Sequence, residues 1–151
     1  MTVYNRTAVV CALAVLVSAF CAAVPSAAQS LKDKLTQQDA EKRLADEHIF
    51  PTNTRCGTEI KSSFDWTTFD MKKAEQFSIS GYCGEPLGAM RQLCETDLGK
   101  QTIASKIKLF ACKMGPERKL TLLPDGTLEY QVDFKSANDF DYARDWLLNN
   151  L

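Results

Sequence analysis

Four cysteines, Cys56, Cys83, Cys94 and Cys112, constrain this chain more than any other feature. As bridges they would tie distant segments together; as thiols or metal ligands they would imply chemistry. The compartment decides between these readings, and the first thirty residues bear on the compartment.

The chain opens MTVYNRTAVVCALAVLVSAFCAAVPSAAQS. One positive charge, Arg6, precedes an uncharged apolar run from Thr7 to Val24. Pro25 and the small residues Ser26-Ala27-Ala28 follow. This layout predicts a secretory signal over residues 1–28, cleaved between Ala28 and Gln29. A membrane anchor needs roughly 17 apolar residues or more. The run is about that long, but it is alanine-rich and leads straight into the small-residue site. A lipid anchor at Cys21 is disfavoured by the bulky Phe20 before it. No later run is long enough to span a bilayer, so no membrane insertion is expected after cleavage. The predicted location is outside the cytoplasm: periplasmic in a Gram-negative bacterium, secreted otherwise.

Cys11 and Cys21 leave with the signal. The four that remain are an even number in an oxidising compartment, which predicts two disulfides. There is no C-x-x-C pair, and His48 is the only histidine, so neither a thioredoxin-like motif nor a zinc site is expected. No metal or cofactor is expected. Cleavage removes Arg6 and leaves 17 basic residues against 19 acidic ones, a net charge of −2. That balance gives no reason to expect nucleic acid or an anionic membrane as partner. About 120 mature residues make one domain, small enough for disulfides to matter.

Residues 29–49 read as a polar helical or flexible leader. Leu31, Leu35, Ala40 and Leu44 form only a thin apolar stripe, suited to a solvated helix or to docking on a partner helix. Pro51 is expected to stop that helix, placing the start of a single packed domain at residue 50. Thr58–Trp66 alternates Ile60, Ser62, Phe64 and Trp66 against Glu59, Lys61, Ser63 and Asp65, the pattern of a half-buried strand. Ser78–Tyr82 reads as a shorter strand. Pro86 then suits a first helical turn, with Leu87, Met90, Cys94 and Leu98 on one face of a middle helix that runs on toward Ser105. Lys106–Met114 reads as a central strand.

In RKLTLLPDGTLEYQVDF, residues 118–134, two hairpin registers compete. A two-residue loop at Asp125-Gly126 would set Leu122 opposite Glu129. A three-residue loop, Pro124-Asp125-Gly126, sets Leu122 opposite Leu128 and Leu120 opposite Tyr130. Only the second keeps Leu120, Leu122, Leu128, Tyr130, Val132 and Phe134 on one face, so it is expected. Ser136 and Asp139 resemble a capping box for a last helix carrying Phe140, Ala143, Leu147 and Leu151 inward, with Trp146 alongside. Basic residues cluster over Lys100–Lys119 and acids over Asp125–Asp145, best read as complementary pairing between neighbouring elements. The fold class is α+β: a small antiparallel sheet of 3–5 strands, with the middle and C-terminal helices packed on it and two disulfides as staples. If the middle helix turns back near Ser105, Cys94 lies about 15 Å before the turn. Cys112 lies about 20 Å after it. This level match favours Cys94–Cys112 and, by elimination, Cys56–Cys83.

Catalysis has few candidates. A serine or cysteine nucleophile needs an oriented base, and His48 sits beside a polar segment with nothing evident to orient it. No hydrolase, zinc-protease, phosphate-loop or dinucleotide motif is present. Asp65, Asp70 and Glu85 could converge near the end of the first strand as a carboxylate pair. Recognition is the stronger reading, with Trp66, Phe69 and Tyr82 near turns as the candidate contact surface. The bland reading for Trp66 and Phe69 is that they finish the core. The expected function is an exported, non-enzymatic binding or accessory module of the cell envelope, with an envelope factor or an inhibitor of a secreted hydrolase as its candidate forms. Its partner would be a protein or another envelope component. The alternative is a small carboxylate-dependent hydrolase.

Overall fold

The computed structural model describes residues 30–151; the predicted signal peptide, residues 1–28, lies outside them. Ser30 opens the first helix with a reciprocal cap: its hydroxyl accepts from Asp33 N–H at 3.1 Å, and the Asp33 carboxylate accepts from Ser30 N–H at 3.2 Å. Helix α1 (Leu31–Arg43) then passes without a break into a π-helical stretch, Leu44–Ile49, and on into α2 (Phe50–Cys56). Pro51 does not stop the chain. It offers no N–H to the carbonyl four residues back and crowds it, and the widened π turn before it accommodates that defect. Gly57, with φ 68°, ends the run. Leu44 is fully buried, and Ala40 and Ile49 join the core, so the packed domain reaches back into the segment expected to be a leader.

Next come β1 (Lys61–Phe64), a 3-10 turn (Trp66–Thr68), α3 (Met71–Ala74), α4 (Ile79–Leu93) and α5 (Asp97–Lys106). They are followed by β2 (Leu109–Met114), β3 (Lys119–Leu122), β4 (Thr127–Val132) and α6 (Asp139–Asn150). The class is α+β as expected, but the four-stranded sheet is mixed rather than antiparallel. Its order is β1-β2-β4-β3, with β1–β2 and β2–β4 parallel and only β3–β4 antiparallel. Three helices separate β1 from β2, and a helical crossover returns the chain to start its next strand in the same direction. Alternation identifies a strand's inner face but carries no information about its direction.

The hairpin has the expected register: Leu120 pairs with Tyr130 and Leu122 with Leu128. Gly126 N–H closes the turn on Leu123 C=O at 3.0 Å with φ 88°, and Asp125 Oδ1 accepts from Thr127 N–H at 2.9 Å. Leu120, Leu128, Tyr130, Val132 and Phe134 are buried; Leu122 is half-buried. The inner face of β2 contributes Phe110 and Cys112, both fully buried. The charge segregation resolves partly into neighbour pairs, Lys113–Glu129 at 2.7 Å and Arg118–Asp139 at 2.6 Å.

Ser78–Tyr82 is not a strand. Ser78 caps α4, its hydroxyl accepting from Gly81 N–H at 3.2 Å, and the helix is already running before Pro86. The glycines of α4 give it a surface others can approach: a Cβ on Gly84 would lie 2.2 Å from His48 Nδ1. A Cβ on Gly88 would lie 3.3 Å from Phe140 Cδ2. Close packing outweighs propensity here. The helix ends at Cys94 and restarts at Thr96, whose hydroxyl accepts from Gly99 N–H at 3.0 Å.

Both errors about α4 carry over to the disulfides, which are Cys56–Cys94 and Cys83–Cys112 rather than the expected pairs. With Cys83 inside the helix, Cys83 and Cys94 are separated by about three helical turns on one face, roughly 16 Å apart. Each end of that face therefore meets a different partner. Cys83 meets β2 and Cys94 meets α2. Two disulfides fit an oxidising environment. Among the described residues no helix is long and apolar enough to cross a membrane.

Candidate functional site

Because β1, β2 and β4 run in the same direction, their carboxyl ends share one edge of the sheet. In open α/β sheets this edge is where crevices form. Backbone bonds hold it together: Asp65 N–H donates to Cys112 C=O at 3.0 Å and Gly115 N–H to Val132 C=O at 2.9 Å. Thr68, in the 3-10 turn, accepts from Met114 N–H at 2.9 Å through its hydroxyl.

Aromatic rings line this edge. Phe64 and Trp66 stack with centroids 4.5 Å apart, and Trp66 contacts Phe69 at 5.1 Å. Phe69 reaches Phe134 at 6.3 Å, and Phe134 meets both Phe77 and Tyr82 at 5.2 Å. The three rings proposed from sequence thus belong to one array, joined through Phe134. They differ in exposure. Phe69 is 7% exposed and belongs to the core, as its bland reading held. Trp66 and Tyr82 are half-buried. Trp66 is fixed by its indole N–H, which donates to Glu41 Oε1 on α1 at 2.7 Å. Phe77 is exposed. Sequence reading missed Phe77, which lies in a loop without periodicity, and treated Phe134 only as the end of a strand face.

Phe134 holds its place at φ 56°, a left-handed conformation that costs a non-glycine residue about 1–2 kcal/mol. Phe134 lines one cleft and touches Tyr82, which lines another. The first, about 520 Å³, is lined by Met114, Phe77 and Phe134 with Lys73, Asp133 and Lys135. The second, about 440 Å³, is lined by Tyr82, Glu85, Asn138, Asp139, Phe140 and Asp141.

The carboxylates do not gather as expected. Asp65 accepts from Thr67 N–H and Oγ1, and Asp70 from Lys73 N–H; both serve as caps for short helical turns. Neither lines the two clefts. Glu85 does, in the company of Asp139 and Asp141. Burial, reinforced by the Asp139 charge and opposed by Arg91, raises the Glu85 carboxyl above its ordinary value. Asp139 is buried and paired with Arg118, which also donates to Ala137 C=O at 2.7 Å and covers the Tyr142 ring at 4.2 Å. The neighbouring Tyr130 hydroxyl is buried, and burial with the Asp139 charge pushes its proton affinity far up. This acidic group was invisible in the sequence because α4 and α6, far apart along the chain, bring it together.

His48 lies in the π-helical stretch with its ring against Gly84 and its Nδ1 buried without a partner. Its carbonyl accepts from Thr52 Oγ1 at 2.7 Å and from Arg91 at 3.2 Å. Burial and the Arg91 cation lower its pKa, with Glu47 opposing. The ring acts as a spacer between helices. No cluster of three or more acidic, histidine or cysteine groups suited to a metal ion occurs among the described residues. Comparison with protein-family models, curated proteins and solved structures finds no match for this chain.

Proposed function

We propose that this chain is a small exported module of the cell envelope that binds a partner without catalysing a reaction, through the aromatic end of its sheet. The carrying observation is Trp66: half-buried, stacked on Phe64, and fixed by the Glu41 carboxylate at 2.7 Å. A large ring held in one orientation loses little entropy on binding, and aromatics of this kind dominate interface centres. The exposed Phe77 extends the surface at the other end of the array. The partner is a protein or another envelope component, and inhibition of a secreted hydrolase is the form to test first.

Immobilised mature protein should capture a partner from envelope extract. Trp66→Ala and Phe77→Ala should each reduce capture while a cooperative melting transition remains. Capture that persists in folded Trp66→Ala removes Trp66 from the site, and persistence in both variants rejects the aromatic end altogether.

One observation favours the hydrolase alternative: the second cleft gathers Glu85, Asp139 and Asp141, with Glu85 held protonated to higher pH than usual. Hydrolysis by the wild type that disappears in folded Glu85→Gln would replace the binding reading.

A further inference from the structure

We propose that the first cleft, at the carboxyl ends of β2 and β4, binds a small amphipathic carboxylate: an aryl or branched alkyl group carrying one free acid. The proposal rests on the reading that this end of the sheet is the binding end, and gives that end a ligand class. About 520 Å³ is within the range of small-molecule pockets. Its apolar wall is the Phe77–Phe134 pair, stacked with centroids 5.2 Å apart and planes within 8°, with Met114 beside it. A flat double ring and a pliable thioether suit a planar or branched apolar group.

The charge of the lining selects the head group. Lys73 and Lys135 border the cleft, and among the described residues the one acid on its lining is Asp133. That carboxylate is already engaged: Oδ1 accepts from Lys135 and Ser136 N–H at 3.0 and 2.9 Å, and Oδ2 from Ser136 Oγ at 2.8 Å. It is shaped to hold the loop after β4, not to neutralise Lys135, whose ammonium has no ion-pair partner among the described residues. Lys73 has only a loose pairing with Asp70 at 3.6 Å. One unpaired lysine and one loosely paired lysine on the lining of a cleft with an apolar wall fit an anion with an apolar body. The second cleft has no basic residue on its lining, and its acids Asp139 and Asp141 are already paired with Arg118 and Arg144, so its lining offers the same acid no cationic partner. Phe134, which forms the wall, is held in the left-handed region, and strain kept at a cavity wall points to use of that wall.

Three compounds test the class by heteronuclear NMR titration of the mature protein: 3-phenylpropionate, its uncharged amide, and a short peptide ending in phenylalanine with a free carboxyl. The acid should bind saturably below about 10 mM, shifting resonances of Phe77, Met114 and Phe134. The amide should bind about fivefold more weakly, near the upper end for a solvent-accessible ion pair. Lys73→Met with Lys135→Met should impose a similar loss on the acid and none on the amide, in a protein whose melting is unchanged. The free acid binding more tightly than the peptide identifies a small metabolite as the source; the reverse identifies a chain terminus. Equal binding of acid and amide, or full binding by the lysine variant, overturns the carboxylate class. No saturable shift with any of the three overturns the cleft as a site. Partner capture that survives this last result leaves the binding-module reading standing, and the two failures are thereby told apart.

Discussion

Replacing Gly84 with alanine should destabilise the protein, although alanine is by far the better helix former. On an isolated helix the exchange would gain about 1 kcal/mol. Here the added Cβ would stand 2.2, 2.3 and 2.5 Å from three atoms of the His48 ring. Ordinary contact begins near 3.4 Å, so ring and helix must separate by more than an ångström. The ring is half-buried, and its Nδ1, the atom nearest the new methyl, is buried, so the collision falls on the enclosed side of the ring. Overpacking of this kind costs about 1–3 kcal/mol, and its upper half applies to a collision with a rigid ring. The net loss should be about 1–2 kcal/mol, or roughly 3–6 °C in Tm for a domain of this size. The sign should reverse when the ring is absent. In a His48→Ala background, Gly84→Ala should stabilise by about 1 kcal/mol, making the coupling between the two sites about 2–3 kcal/mol. Urea denaturation of the four proteins in the cycle measures all of these quantities. A stabilising Gly84→Ala in the wild-type background would refute the close packing of α4 against His48.

Leu44→Ala should cost about 2–5 kcal/mol, because the side chain is fully buried, whereas Leu35→Ala on the same helical run should change stability by less than about 0.5 kcal/mol; equal effects in urea would mean that the N-terminal run is not part of the core. Non-reducing peptide mapping should join Cys56 to Cys94 and Cys83 to Cys112, and Cys83→Ser with Cys112→Ser should cost about 3–4 kcal/mol for a sequence separation of 29. The His48 pKa lies below 6.5 in the folded protein, so its contribution is complete above that pH and is lost as pH falls from 6.5 toward the folded value, where only the unfolded chain is protonated. Between pH 7.5 and 5.5 the wild type should therefore lose stability that His48→Gln does not, and parallel profiles would reject the assignment. Glu85 has the opposite sign at lower pH, since its raised pKa favours the folded state as acidity increases.

Local pattern alone was enough to set several features of this chain. The alternation of Leu120, Leu122, Leu128 and Tyr130 admits one register once Pro124-Asp125-Gly126 is taken as the loop, because a shift by one residue would turn the apolar face to solvent. Four cysteines in an oxidising context imply two bridges, and the α+β class follows from periods of two and of about 3.6 in different segments. Other features depended on contacts between distant segments. In Ser78–Tyr82 the local helix signal is the Ser78 cap alone; His48 and Phe140, packing at Gly84 and Gly88, supply the rest. The cysteine partners depended on where α4 begins and ends, so a boundary error of a few residues exchanged both bridges. Trp66, Phe69 and Tyr82 were legible as aromatics near turns. Their union with Phe64, Phe77 and Phe134 required three strands to end at one edge, and the gathering of Glu85 with Asp139 required α4 and α6 to pack together. A residue's period records which way its side chain faces. What it faces is settled by strand direction and helix ends, which are properties of the assembled chain.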